Sequence, residues 1–261
     1  MLQVELFQET PIPLQARLAC APGEMLALVG PSGSGKSTIL RCIAGLRSAT
    51  RGHVVVNGER WFDSGQGIRR PPRNRAAGFV FQSYALFPHL SALGNVAMAM
   101  SHIPDSQRAA RAAELLERVR LRGLEARRPD ELSGGQRQRV AMARALARDP
   151  RVLLLDEPFS AVDRSTREVL YRELAALKRE LAMPMVLVTH DIGEAALLAD
   201  RMSILHRGRT LQDAPPFELM ARPASPLVAR LVGLRNIFTA RIAAHDPANG
   251  ITWIEWAGHR L

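Results

Sequence analysis

The sequence predicts an α/β fold with a mainly parallel sheet, from three observations. Strand-length apolar runs recur at 24–29 (EMLALV), 78–82 (GFVFQ), 151–156 (RVLLLD) and 184–190 (PMVLVTH). Segments of helical spacing lie between them; Leu170, Leu174, Leu177 and Leu181, at intervals of four, three and four, share one helix face. The first run leads through a glycine-rich loop straight into a helical pattern. Uninterrupted apolar strands alternating with helices are the pattern of a sheet covered on both faces.

The elements follow in order. Residues 24–29 form a buried strand ending at Gly30, and a helix is expected from about Lys36 to Leu46. Residues 53–62 (HVVVNGERWF) read as two strands joined by Asn57-Gly58, a type I′ hairpin signal. The charged, proline-containing segment 69–75 (RRPPRNR) is expected to turn, and 78–82 to be a strand ending at Gln82. From about 90 to 147 the pattern is helical, with Leu115, Leu116 and Val119 on one face; this stretch is predicted as an inserted helical subdomain. After the strands at 151–156 and 184–190, RMSILHRGRTLQD at 201–213 predicts a hairpin turning near Gly208. The segment 8–20 is weakly patterned. Residues 234–261 read as two or three strands around Asn249-Gly250, with Trp253 and Trp256 as core residues that lack their partners.

At 261 residues the chain is one large domain or one domain plus a fragment, at roughly 150 residues per domain. Thirty-five basic against 25 acidic side chains give a net charge of +10, which first suggests nucleic acid or an anionic membrane as partner. Only Lys36 and Lys178 are lysines, and an arginine-dominated balance can equally reflect genomic base composition. Two cysteines, Cys20 and Cys42, without a CxxC or His/Cys cluster, argue against a disulfide framework or zinc site. The N-terminus lacks the basic and apolar regions of a secretory signal, and no run approaches 18 apolar residues. A soluble, reduced, cytosolic chain is expected.

Three motifs carry chemistry. GPSGSGKST at 30–38 fits G-x-x-x-x-G-K-[ST]. Its glycines let the loop turn and aim backbone N–H groups at phosphate oxygens, and the following helix adds its positive end. Lys36 would reach the β/γ-phosphates and the Ser37 hydroxyl would ligate Mg²⁺. The loop follows a strand and opens a helix, a context that an ordinary surface Gly/Ser turn lacks. The nucleotide-binding residues are thus Gly30, Pro31, Ser32, Gly33, Ser34, Gly35, Lys36, Ser37 and Thr38. Second, Asp156 ends a buried strand and can hold Mg²⁺; ligands sit at carboxyl ends of parallel strands, so Asp156 should converge on the loop. Glu157 follows, placed to polarise an attacking water. Third, LSGGQRQRVAMARAL at 132–146 pairs an N-cap, Ser133, with two helix-start glycines, Gly134 and Gly135. A second anion site results.

With these motifs the chain resembles the ATP-binding cassette subunits of membrane transporters over about residues 1–233, and LSGGQ (Leu132, Ser133, Gly134, Gly135, Gln136) is the family signature. The resemblance implies a P-loop NTPase (RecA-like) core with the helical subdomain inserted at about 90–147. Gln82, in FVFQSYALFPHL, matches the glutamine that joins Mg²⁺, alongside Ser37 and Asp156, and meets the coupling helix of the membrane subunit. Ser160, Ala161, Val162 and Asp163 resemble the dimer-contact loop, with Val162 where Leu is usual. His190, in VTHD, resembles the switch histidine at the γ-phosphate. Phe7 stands where an aromatic often stacks on adenine.

The resemblance also implies assembly. Two copies sandwich two ATP molecules, the loop at 30–38 of one copy facing Ser133–Gln136 of the other. Hydrolysis, with Glu157, His190 and Gln82 as catalytic residues and ATP and Mg²⁺ as cofactors, would drive separate integral membrane permease subunits and, indirectly, a solute-binding protein. The place implied is the cytoplasmic face of the bacterial inner membrane, with no nucleic acid involved.

A single cassette without fused membrane helices, and a tail similar to a linker into a small β-domain, point to an importer. In that comparison 234–261 is a partial or truncated C-terminal regulatory domain. Residues 57–82 look most like molybdate-type subunits, where an Asp-Ser and a Pro-Pro stretch precede the glutamine. Molybdate or a related oxyanion is the expected solute. Sulfate, ferric iron, polyamine or sugar are the alternatives, and a nucleic-acid-associated cassette ATPase is the reading from a different class.

Overall fold

The computed structural model describes residues 1–260. It opens with two strands that the sequence reading missed. Leu2, Val4 and Leu6 alternate with more exposed residues in β1 (Leu2–Gln8), and Leu14, Ala16, Leu18 and Cys20 do so in β2 (Leu14–Cys20). The two pair antiparallel, Leu2 opposite Cys20. The period-two signal was present, but the polar and proline-rich link between the strands, ETPIP, obscured it.

β3 (Met25–Val29) is buried on both faces and leads through the loop at 30–35 into α1 (Lys36–Ala44), which stops two residues short of the expected Leu46. β4 (Arg51–Val56) and β5 (Glu59–Asp63) form the predicted hairpin, with Asn57 and Gly58 at φ 49° and 79°. After β6 (Ile68–Arg69), the segment Pro72–Asn74 makes one 3₁₀ turn, and β7 (Ala77–Val80) ends two residues before Gln82. Gln82 therefore lies in the turn beyond its strand instead of at the strand's last position.

The helical subdomain contains α2 (Ala92–Ala97), α3 (Asp105–Arg118) and α4 (Gly134–Leu146). Leu115 and Leu116 are buried as expected, while Val119 caps α3. Then come β8 (Val152–Asp156), α5 (Arg164–Glu180), β9 (Met185–Thr189), α6 (Ile192–Leu198) and the hairpin of β10 (Arg201–His206) and β11 (Arg209–Ala214), turning at Arg207-Gly208. Two short helices follow, α7 (Pro216–Ala221) and α8 (Pro226–Leu231).

Eleven strands make one sheet in the order β6-β5-β4-β1-β2-β11-β10-β3-β9-β8-β7. The run β10-β3-β9-β8-β7 is parallel throughout and forms the predicted core. β1, β2 and β4–β6 extend it as an antiparallel arm. α1 is wedged between the two, with Ile39, Leu40 and Ile43 fully buried among Leu26, Leu28, Val54 and Trp61. On the opposite face, Leu153, Leu155 and Leu187 pack with Val140 and Ala141 of α4 and with Leu170 and Leu174 of α5.

The C-terminal end of α1 is held by one buried side chain. Arg75 donates from Nη1 to the carbonyls of Cys42 and Ile43, both at 2.8 Å, and from Nε to the carbonyl of Arg70 at 2.9 Å. These carbonyls include acceptors that a helix end leaves unpaired. Arg75→Ala is expected to cost about 3 kcal/mol, because it removes charge-assisted bonds and strands buried acceptors. The urea unfolding midpoint checks this; an unchanged midpoint would show that water takes over the role.

A separate antiparallel sheet contains β12 (Arg241–Asp246), β13 (Ile251–Trp256) and β14 (His259–Arg260). The strands expected around Asn249-Gly250 are present, and the tryptophans lack the apolar layer that would bury them, as expected of core residues missing partners. Trp253 and Trp256 are 40% and 39% exposed. Residues three apart on a strand point to opposite faces, so the two cannot share one apolar layer. Each has instead a local partner: the Arg260 guanidinium 5.0 Å from the Trp253 ring, and Phe238 4.9 Å from Trp256. The final residue of the predicted segment, Leu261, lies outside the described residues.

Candidate functional site

Parallel strands end in register, so the loops that follow β3, β7, β8 and β9 emerge at one edge of the sheet. Val29 pairs with Thr189, and Asp156 with Val188. This brings the loop at 30–38, Gln82, Asp156-Glu157 and His190 together, and includes the convergence of Asp156 on the loop that the strand ends predict.

The loop is shaped by what surrounds it. A side chain on Gly30 would place its Cβ 2.0 Å from the carbonyl oxygen of Leu205 in β10, so only glycine fits. The Gly208 N–H donates to the Ser34 carbonyl at 2.9 Å and ties the β10–β11 turn to the loop. Lys36 is buried and donates from Nζ to the carbonyls of Gly30 (2.8 Å) and Pro31 (3.0 Å). Burial lowers its pKa, and the nearby Glu157 and Asp156 charges oppose that. Among the described residues its hydrogen bonds go to neutral carbonyls, which an incoming anion can replace.

The Ser37 hydroxyl donates to Asp156 Oδ1 at 2.7 Å. Burial raises the Asp156 carboxyl, and the Ser37 bond works against it. Ser37, Asp156 and Gln82 supply hydroxyl, carboxylate and amide oxygens, hard donors that suit Mg²⁺. Glu157 stands at φ 45°, a left-handed conformation that non-glycine residues rarely adopt and that collects at working sites. Its Oε2 is 3.4 Å from Gln82 Nε2 and 3.3 Å from His190 Nδ1. One carboxylate thus meets two predicted catalytic residues from different strands.

Leu132–Gln136 opens α4 with a reciprocal cap. Gln136 N–H donates to Ser133 Oγ at 3.3 Å, and Ser133 N–H to Gln136 Oε1 at 2.8 Å. A Cβ on Gly135 would lie 2.8 Å from Thr166 Cγ2, so close approach to α5 requires glycine there. No hydrogen bond joins this helix start to the loop at 30–38 among the described residues. Ser160 and Ala161 are exposed, Val162 is buried, and Asp163 caps α5 by accepting from Thr166 N–H at 3.0 Å and the Ser165 hydroxyl at 2.7 Å. Those bonds hold the Asp163 carboxyl well below the usual range.

Phe7 is half-buried on β1, at a groove beside the loop that also includes Pro13, Arg207 and Arg209. The Arg51 guanidinium covers its ring at 4.2 Å from the centroid. Arg51, Arg207 and Arg209 escaped the sequence reading because only strand pairing (Phe7 opposite Arg51) and the hairpin turn bring them here. Beyond Gln82 a second groove is floored by Phe79, Phe81, Phe87 and Met98. Arg144 lines it and donates to the carbonyls of Tyr84 and Ala85, both at 2.7 Å.

A family profile described as ABC transporter matches residues 14–160. The spermidine/putrescine import ATP-binding protein PotA of Acidothermus cellulolyticus is 45% identical over 233 residues, 88% of this chain and 59% of that protein. The sulfate/thiosulfate import ATP-binding protein CysA of Xylella fastidiosa is 50% identical over 220 residues, 82% of this chain and 62% of that one. Its counterpart in Xanthomonas campestris pv. campestris is 46% identical over 245 residues, 92% and 68%. The chain thus spans about six tenths of the length of the first two relatives. Among solved structures, the dimeric post-hydrolysis state of the ATP-binding cassette MJ0796, bound to ADP and Pi, aligns with a TM-score of 0.70 at 33% identity, covering 83% of this chain and 99% of that one.

Proposed function

The chain belongs to the ABC transporter family, and from that premise we propose that it is the ATP-hydrolysing subunit of a bacterial importer. The observation that carries the reading is the convergence of Lys36, Ser37, Asp156, Glu157, Gln82 and His190, from four separate segments, on one edge of the sheet.

Each residue then has a role that its surroundings support. The loop amides and Lys36 bind the phosphates. Ser37, Asp156 and Gln82 would hold Mg²⁺, which when bound supplies charge neutralisation between phosphate groups. Glu157 accepts a proton from, or orients, the attacking water. His190 and Gln82 hold that carboxylate in place and sense the terminal phosphate. Phe7 offers a face to adenine, although Arg51 must then share or leave its ring. Leu132–Gln136 presents a capped helix start, and Ser160–Asp163 a contact loop, to a second copy. The dimeric ADP-bound neighbour supports that pairing.

Among the described residues no helix is long and apolar enough to cross a membrane. As an importer subunit it would act on separate permease subunits, and the groove beside Gln82, with Phe87 41% and Met98 58% exposed, is the surface proposed to receive them. The chain would work peripherally at the cytoplasmic face of the inner membrane, and indirectly with a solute-binding protein.

For the solute, the relatives named above give molybdate no specific support. The sulfate/thiosulfate relatives, 50% identical in one case, favour the wider oxyanion class; the 45% identity to a spermidine/putrescine subunit makes polyamine the second reading. Deleting the gene and measuring uptake of radiolabelled sulfate, molybdate and putrescine separates these. Loss of sulfate or molybdate uptake alone is expected; loss of putrescine uptake alone would favour the second. ATP hydrolysis by the purified chain tests the core reading, and stimulation of that hydrolysis by DNA would point instead to a nucleic-acid role.

A further inference from the structure

A small cleft bordered by Glu157 and His190 has further charged residues in its wall that the roles above leave unused. Two charged side chains in its wall come from elements that carry different working loops. Glu194 sits in the first turn of α6 and is buried. Its backbone N–H donates to Asp191 Oδ1 at 3.1 Å, which fixes it to the turn bearing His190. Its Oε2 is 3.4 Å from the Tyr171 hydroxyl, and its buried Oε1 has no hydrogen-bond partner among the described residues. Arg167, on α5, donates from Nη2 to the carbonyl of Val162 at 3.0 Å, inside the contact loop. Its buried Nε likewise finds no partner among the described residues.

Buried polar atoms nearly always find partners. Here a carboxylate oxygen and a guanidinium N–H, both buried and both unmatched, belong to residues that line the same cavity. Its volume is about 90 Å³, above the roughly 10–15 Å³ that one water requires, so a bridging water fits as readily as a short closing movement. Burial pushes the Glu194 carboxyl up to about 7; the neighbouring Thr189 side chain opposes this most and the Arg167 charge less.

We propose that Glu194 and Arg167 are positioning residues, joined across this cavity directly or through water, that couple the turn carrying His190 to the contact loop at 160–163. Movement of that loop against a second copy would then be passed to His190 and, through its contact with Glu157, to the hydrolytic centre. The kinetic consequence rests on the functional reading above; the mechanical link does not.

The test has two arms on the full chain. In hydrogen exchange without nucleotide, Glu194→Gln should speed amide exchange about threefold or more at 160–163 as well as at 189–192. Arg167→Gln is the reciprocal probe and should act at 189–192, on a different element. Changes confined to the mutated residue's own segment would overturn the link, and either variant alone suffices if the other fails to fold. In steady-state ATPase assays each substitution should lower kcat about tenfold with KM within about twofold, and the double variant should be no worse than the weaker single. Arg167→Lys, which keeps the cation, should restore most of the rate. Multiplying losses, or a loss in KM alone, would also overturn it. A wild-type chain that hydrolyses no ATP would refute the functional reading and leave the exchange arm to decide the link.

Discussion

Glu157→Gln is expected to retain ATP binding, to accumulate as a nucleotide-held dimer, and to turn over ~10²–10⁴-fold more slowly than wild type. The substitution preserves shape. Glutamine can still meet Gln82 and His190 at the positions where Oε2 now sits 3.4 and 3.3 Å away. What it removes is the negative charge that can take a proton. It also removes a negative charge that lies near the incoming phosphates, so the bound state should tighten while hydrolysis stalls. The strained backbone of Glu157, at φ 45°, aims the carboxylate, and the substitution leaves that backbone in place. Size-exclusion chromatography with ATP and a single-turnover assay read both effects. Wild-type turnover would remove Glu157 from its role.

Lys36→Ala and Ser133→Arg should each lower turnover at least ~10²-fold, for different reasons. Lys36 is a buried ammonium whose two present bonds go to loop carbonyls of Gly30 and Pro31. Removing it deletes a charge-assisted contact to phosphate, so the loss should appear in ATP affinity. Ser133 lies on a different element with no hydrogen bond to that loop among the described residues. Its replacement should leave ATP affinity nearly intact and abolish hydrolysis, because in the proposed dimer an arginine would obstruct the helix start that faces the partner's nucleotide. The lost cap costs about 1 kcal/mol, too little to unfold the chain, and a thermal melt verifies that.

Some of this was legible in the sequence for a physical reason. GPSGSGKST, LSGGQ and the Asp156-Glu157 pair are each coded within one continuous segment. The buried parallel strands, whose apolar runs are unbroken, announce both their burial and the sheet edge where the segments meet. Other features depend on pairing between distant segments. β1 and β2 were missed although Leu2, Val4, Leu6 and Leu14, Ala16, Leu18 alternate, because short alternation resembles loop until a partner strand is known. Arg51 covers Phe7 only through the β1–β4 register. Glu194 and Arg167 lie on helices, and nothing in either segment shows that they border one cavity. That Trp253 and Trp256 lack core partners was legible, but the local partners they find, Arg260 and Phe238, were not. The solute was least legible of all. In the proposed mechanism it never touches this subunit, so only kinship constrains it.

The central claim is that each hydrolytic site is shared between two copies, the loop at 30–38 of one completed by Leu132–Gln136 of the other. Mixing the Lys36→Ala and Ser133→Arg chains tests it directly. Each alone should be inactive, but in a mixed dimer one site receives an intact loop from one chain and an intact helix start from the other. Recovery of hydrolysis to about a quarter of the wild-type rate is expected for random pairing, since half of the dimers are mixed and each has one of two sites. A mixture as inactive as its components, with both variants folded and paired, would contradict the shared site.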